Sequence, residues 1–330
     1  SSAAAAANGD GGDGEFARGG GLHIHNSSPT ILDCGIVMCA STHGGAVQMR
    51  NSNATLHNCD IRTNSATEGG GCYLDDFDGS ITDCSIVDNI ATGHGGGVVL
   101  TGNSTGTMDC CEVRNNNATN WNAQGGGMYV HSGAPQLHDC KVSDNAAGDD
   151  NDPMNESKGG GLYLHPNSMA TVSNCEIDHN HAVEGGGIFV DNSPSSMHSC
   201  SIHNNNGITG GGLYINDAVG TSLDGCTIWQ NTSSNRAGGG LYCTNSAPLI
   251  NQCTISHNIS PVDGGGGVYL HGSNAVFQDC VLSDNQACCG GGVLSANQDA
   301  SVMRSCHFAN NHAFINGGGA QCAGAVTTTF

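Results

Sequence analysis

Residues 175–200 read Cys175-Glu-Ile177-Asp-His-Asn180-His-Ala-Val-Glu-Gly185-Gly-Gly-Ile188-Phe-Val190-Asp-Asn-Ser-Pro-Ser-Ser-Met197-His-Ser-Cys200. Two patterns follow one another here: Cys-x-Ile-x-x-Asn, then three glycines that run into apolar residues at alternate positions. The same order recurs along the chain. Aligned glycine runs stand at Gly19, Gly44, Gly69, Gly95, Gly125, Gly159, Gly185, Gly210, Gly238, Gly265, Gly290 and Gly317, with spacings of 25 to 34 residues. Cysteines in register lie at Cys34, Cys59, Cys84, Cys111, Cys140, Cys175, Cys200, Cys226, Cys253, Cys280 and Cys306. An asparagine follows five residues later at Asn64, Asn89, Asn116, Asn145, Asn180, Asn205, Asn231, Asn258, Asn285 and Asn311, and only the first unit replaces it, with Cys39. A fixed period of this length is the mark of a repeat architecture.

Inside each unit the apolar period is 2. The first position after the glycines is Leu22, Val47, Cys72, Val98, Met128 and so on, the third is mostly aliphatic, and another apolar column (Ile31, Leu56, Ile81, Met108) sits three residues before each ladder cysteine. That is strand alternation, in runs too short for helices. Each unit therefore predicts two or three short strands divided by Gly, Asn, Ser and Asp turns. One such unit cannot bury its apolar face alone; units stacked at about 4.8 Å pair every backbone group with the coils above and below. The predicted fold is all-β, a single-stranded parallel β-helix (solenoid) of about 12 coils with about 27 residues per coil. The expected organisation is an Ala/Gly-rich segment over 1–14, the β-helix over 15–325 and a tail over 326–330. The ladder cysteines should point inward as small buried hydrophobes, and an inward Asn in each coil should stack its amide on the next.

The pairing of I/V-x-x-N with a following GGA or GGG resembles the repeats of chlamydial polymorphic outer membrane proteins, whose motifs are FxxN and GGA(I/L/V). More broadly it resembles the right-handed parallel β-helix of the pectate-lyase type, over about residues 15–325. The resemblance implies the right hand of the solenoid. It implies little about activity, because that fold hosts lyases, hydrolases, epimerases, adhesins and passive spacers.

Charge excludes several functions. Eight Lys+Arg against 29 Asp+Glu give a formal net charge of −21, so a row of phosphates cannot be neutralised and nucleic-acid binding is not expected. No apolar run approaches the roughly 18 residues that span a bilayer, and Ser1–Ala7 has neither a basic nor an apolar leader region, so a soluble mature product or excised segment is expected, without membrane insertion. Seven N-x-S/T sequons and 18 cysteines point to an extracellular or cell-surface setting. Asn231 and Asn258 belong to the buried ladder and should stay bare; Asn26, Asn53, Asn103, Asn117 and Asn155 are the candidate glycosylation sites.

Four features are candidates for contact or chemistry. Tyr73, Tyr129, Tyr163, Tyr214, Tyr242 and Tyr269, with Phe189 filling one gap, occupy one repeat position that alternation sends outward, an aromatic stripe suited to another rod or to sugar rings; the bland alternative is cross-strand stabilisation of the sheet. Two neighbouring units carry insertions at the same corner, Ala118–Gln124 with Trp121 and Ala146–Lys158 with Asp149, Asp150, Asp152 and Glu156. Their oxygen ligands suit Ca²⁺, against the simpler reading of a solvated acidic loop; no other cofactor is expected. Sixteen histidines scatter over several columns without a metal-ligand spacing, and no metal site is assigned to them. Glu176, Asp178, His179 and Lys141, on neighbouring coils, are the nearest approach to a catalytic group for polysaccharides, although outward acids usually serve solvation.

The expected function is non-catalytic: a structural or adhesive rod, a subunit or segment of a surface filament, coat or adhesin. It would meet copies of itself or other extracellular structural proteins end to end or laterally, the stretch Ala323–Phe330 offering a strand for a neighbour. A carbohydrate-binding or polysaccharide-modifying (lyase or epimerase) protein is the first alternative, and an interaction scaffold within a larger protein the second.

Overall fold

The computed structural model describes residues 19–148, 155–297 and 299–323. The chain winds as a parallel β-solenoid, and every strand pairing between coils is parallel. Each complete coil from the second on carries four strands, so four walls run along the molecule. The first wall has twelve strands, from Leu22–His25 to Ala320–Ala323, and follows the glycines. The second (Thr30–Leu32 to Val302–Arg304) and third (Gly35–Val37 to His307–Ala309) have eleven each. The fourth, from Ser65–Ala66 to His312–Asn316, has ten.

The fourth wall corrects the expectation of two or three strands per unit. Its strands, as short as two residues, put one small residue inward per coil, as at Ala91, Ala118, Ala147 and Ala182, all fully buried. A strand with one inward position has no period to read.

The two ladders mark corners. The residue before each ladder cysteine and the residue before each ladder asparagine adopt positive φ, as at Asn174 (53°), His179 (54°), Ser199 (52°) and Asn204 (53°). A single left-handed residue between two extended ones turns the strand; glycine, as at Gly225 (61°), does this at least cost, and Asn and Asp do so most readily among residues with a Cβ. Inside, Ile188 and Val190 from the first wall, Met197 from the second and Ile202 from the third, all 0% exposed, meet in one continuous apolar column with the ladder cysteines from Cys59 to Cys280, which are at most 2% exposed; at the two ends of the ladder, where a described coil stacks on one side only, Cys34 is exposed and Cys306 half-buried.

Each ladder asparagine from Asn64 to Asn285 is fully used. Asn180 Nδ2 donates to Val142 O of the coil before (2.9 Å) and to Asn205 Oδ1 of the coil after (3.0 Å), and the Asn180 backbone N–H also donates to Asn205 Oδ1 (3.0 Å). The glycine run fits against this ladder. Gly185 has φ +63°, a Cβ on Gly186 would lie 2.3 Å from Asn206 O, and one on Gly187 would meet the Asn205 amide at 2.9 Å.

All eighteen cysteines are free thiols. Cys200 Sγ–H, for example, lies 3.4 Å from both Val172 O and His198 O, so the buried thiols find backbone acceptors.

Candidate functional site

The aromatic column does leave the first wall on its outer face, but it is not the exposed stripe expected from alternation. Tyr129, Tyr163, Phe189 and Tyr214 are 1–9% exposed and form, with Val99, a second apolar cluster outside the main core; Tyr73, Tyr242 and Tyr269 are half-buried. Ring centroids step along the axis at 5.5, 5.4, 4.7, 4.6 and 4.9 Å from Tyr129 to Tyr269. The cover comes from the segment before the glycines and from the coil's own outward side chains. His94 stacks on Tyr129 at 5.0 Å, Lys158 Nζ lies 5.0 Å over Phe189, and Tyr163 Oη–H donates to Asp191 Oδ2 at 2.8 Å. Burial pushes all six phenols above the ordinary tyrosine range, Tyr242 to about 12. Burial likewise pushes Glu68 up to about 7, partly opposed by the His94 N–H that its carboxylate accepts.

The two insertions lie against each other. The Glu156 N–H donates to Trp121 O (2.7 Å) and the Lys158 N–H to Ala123 O (2.9 Å), with Trp121 44% exposed and Glu156 exposed. Asp149, Asp150 and Asp152, the expected Ca²⁺ ligands, lie outside the described residues. Among the sequons, Asn26, Asn53 and Asn103 are exposed; Asn53 and Asn103 border an open polar hollow of about 470 Å³ with Asp76 and Asp78. Asn117 is half-buried with Oδ1 out of solvent, Asn155 is half-buried, and Asn231 and Asn258 are buried in the ladder.

The densest chemical group stands on the outer face of the third wall. Strands Lys141–Ser143, Glu176–Asp178, Ser201–His203 and Thr227–Trp229 are paired in register, so Lys141 sits beside Glu176, and Ser143, Asp178, His203 and Trp229 form one column. Their middle residues, Val142, Ile177, Ile202 and Ile228, anchor the strands in the core. Lys141 Nζ reaches Glu176 Oε2 at 3.2 Å and Asp178 Oδ1 at 3.6 Å; His179 Nδ1 meets Asp178 Oδ2 at 2.7 Å; His203 Nε2 meets Glu176 Oε1 at 3.2 Å. Burial pulls the Lys141 ammonium down, but the two carboxylates more than offset this and hold it above the usual lysine range. Trp229 stacks on His203 at 4.5 Å between centroids, and its Nε1–H donates to Ser201 Oγ at 3.2 Å. Past His203 and Trp229 the surface opens into a groove of about 440 Å³ lined by Asn204, Gln230, His257, Ile259, Asp284 and Gln286.

The structure thus brings together the four residues singled out in the sequence and adds His203 and Trp229. Their signal was in the text: Asp178, His203 and Trp229 share one repeat phase, 25 and 26 residues apart. A second, exposed group joins Asp109, Cys110, His138 and Asp139, with His138 Nδ1 2.9 Å from Asp109 Oδ1 and 3.0 Å from Asp139 Oδ2.

A family model described as right handed beta helix region matches residues 70–245 and 160–330. No curated protein matches the chain. A solved structure of a mannuronic acid specific polysaccharide family 6 lyase enzyme from human gut microbiota is similar at 11% identity over 87% of this chain and 82% of that one, with a TM-score of 0.21. A score that low carries no weight for activity.

Proposed function

The chain belongs to the right-handed β-helix family, and from that premise we propose that it is a structural or adhesive rod acting outside the cell. One observation carries the reading. The amide ladder from Asn64 to Asn311 is unbroken, so each coil is tied to the next by side chain as well as by four walls of backbone hydrogen bonds. A quasi-one-dimensional stack of this kind transmits load along its axis and holds surface groups at fixed spacing. The excess of acids keeps the rod dispersed, and assembly with copies of itself or other structural proteins runs end to end or side by side. Immunogold imaging of native material tests this: label along an ordered filament, coat or surface layer supports the rod, whereas label confined to dispersed monomers inside the cell overturns it.

A second reading is favoured by the Trp229–His203 stack on the outer face of the third wall, next along the chain to Asn204 and Gln230, which line an open groove. A flat aromatic ring beside carboxylates and amides suits the apolar face and hydroxyls of a sugar. A glycan array probed with the parent protein, Trp229→Ala and Trp121→Ala separates the two. Binding lost with Trp229→Ala alone places the site on the third wall, and loss with Trp121→Ala alone places it on the insertions.

A further inference from the structure

Glu176, Asp178 and His203 do more than decorate a rod. Each offers one ligand atom, and the three atoms lie within 4.8 Å of one another. Metal–ligand bonds of about 2.0–2.2 Å place neighbouring ligand atoms roughly 3.0–3.5 Å apart; His203 Nε2 and Glu176 Oε1 already stand at 3.2 Å, and the remaining separations must close by up to roughly 1–2 Å. Glu176, with 44% of its side chain exposed, has the freedom to supply that shift. The other two are held: Asp178 is 5% exposed and His203 8%.

Two polar atoms at this place point to a missing partner. Asp178 Oδ1 is buried and accepts no hydrogen bond among the described residues, Lys141 Nζ at 3.6 Å being too far to donate. Ser143 Oγ, at the register position beside Asp178, is also buried without a partner. Asp178 Oδ1 thus faces only the Lys141 ammonium, at ion-pair and not hydrogen-bond distance, and a buried carboxylate oxygen so loosely satisfied is uncommon and costly; a cation held closer, beside the His203 imidazole, would satisfy it.

We propose that Glu176, Asp178 and His203 form a binding site for a divalent transition-metal ion, with the Lys141 ammonium as the cation that occupies its place in the metal-free protein. The chemistry of the set chooses the class of ion. One imidazole and two carboxylates suit Mn²⁺, Fe²⁺ or Zn²⁺, whereas Ca²⁺ takes six to eight oxygens. The surroundings are those of a supported site. His179 Nδ1 holds the far oxygen of Asp178 at 2.7 Å, the Asn204 amide meets His203 Nδ1 at 2.9 Å, and Trp229 clamps the imidazole ring. With the Asn204 amide turned so that Oδ1 accepts from Nδ1–H, the His203 Nε2 lone pair faces the carboxylates. Lys141 reaches in on a flexible stem with 43% of its side chain exposed, and swings out when a divalent ion enters.

The site carries its own reporter, because the protein has two tryptophans and Trp229 lies against His203. In a Trp121→Phe background, Mn²⁺ is titrated while Trp229 emission and the free-ion EPR signal are followed. Mn²⁺ is a hard ion that binds thiolates poorly, so the exposed cysteines stay silent. The expected result is saturable quenching with one bound ion. Its midpoint should rise at least tenfold in Asp178→Asn and in His203→Gln, and fall severalfold in Lys141→Met. Circular dichroism checks that each variant is folded; if Asp178→Asn is not, Glu176→Gln, at a half-exposed side chain, makes the same comparison. Quenching whose midpoint is unchanged by all three ligand substitutions overturns the site. So does an absence of saturable quenching in both the parent and Lys141→Met, which leaves the cluster as a salt-bridge network only.

Discussion

Asn180 Oδ1 accepts two hydrogen bonds from Asn145, one from the backbone N–H and one from Nδ2, each 3.0 Å long. These two residues are 35 apart in sequence, the widest step in the ladder, because the insertion before Lys158 lies between them. Steps of 25 to 29 residues elsewhere give the same pair of bonds at 2.9–3.1 Å. The corner thus absorbs an insertion without disturbing the stack. The ladder, not the coil length, sets the register of the fourth wall.

Replacing Asn180 by Ala should therefore cost far more than a surface change. It orphans the Asn145 N–H and amide, leaves Val142 O without its side-chain donor, and removes a donor to Asn205. At about 1–3 kcal/mol for each buried group left unpaired, a loss of about 3–5 kcal/mol is expected. Asn311→Ala, at a half-buried position near the end of the described residues, should cost less. Urea unfolding of the two variants checks this ordering. Equal losses would mean that the ladder is not cooperative.

The aromatic column makes the protein sensitive to base. The phenols are raised above their unfolded value near 10 by burial, so folding favours their neutral form. Their contribution to stability is complete below about pH 10 and is lost as pH rises through the folded values, about 12 for Tyr242. Spectrophotometric titration at 295 nm should show tyrosines ionising late and together with unfolding. Phenols that all titrate reversibly near 10 in the folded protein would contradict the buried stack.

How much of this was written in the sequence follows from what repeats. The glycine runs, the ladder cysteines and, from the second unit on, the asparagines recur coil after coil, so the solenoid, its inward columns and the burial of Asn231 and Asn258 could be read directly. Tyr163 shows the limit of alternation. Period 2 gives the direction of a side chain, outward, but not whether another segment covers it, and Lys158 and His94 come from outside the strand pattern. His203 and Trp229 escaped for the opposite reason: they occur once each, and a column is visible only when the coils are aligned by phase.

Glu68 should make stability fall between weakly acid and weakly alkaline pH. Burial raises its folded value to about 7 from an ordinary 4.5, so the folded state holds the proton more tightly. The stabilisation from that proton is complete below about 4.5 and lost as pH rises through about 7. Glu68→Gln keeps an amide oxygen for the His94 N–H and carries no charge. The variant should therefore gain in urea midpoint over the parent near pH 8 and match it near pH 4. A difference that is the same at both pH values would show that burial leaves the affinity of Glu68 for its proton unchanged on folding.

Glycan occupancy should follow exposure rather than motif. Asn26, Asn53 and Asn103 present free surface, while Asn231 and Asn258 each spend both amide hydrogens on the ladder and lie at 0% exposure. Peptide mass spectrometry after secretion from a glycosylating host should find sugar at some of the first three and none at the last two. Modified Asn231 in folded protein would be incompatible with the ladder.

Thiol accessibility gives the most direct view of the wall. Cys34, Cys110 and Cys322 are exposed, whereas the ladder members from Cys59 to Cys280, together with Cys72 and Cys243, are buried. Burial also pushes the Cys243 thiol up to about 12, which starves any reagent of thiolate there. Neighbouring ladder thiols point the same way off successive strands, a poor arrangement for the near-perpendicular dihedral of a disulfide. Maleimide at neutral pH should therefore label three cysteines quickly, with Cys39, Cys288, Cys289 and Cys306 slower, and the eleven buried thiols only after unfolding. The same free thiols should survive passage through an oxidising compartment, because an oxidant that cannot reach the column cannot close it. Ladder disulfides found in the folded, secreted protein would require the coils to part by more than the stack allows, and would replace the reduced column with a stapled one.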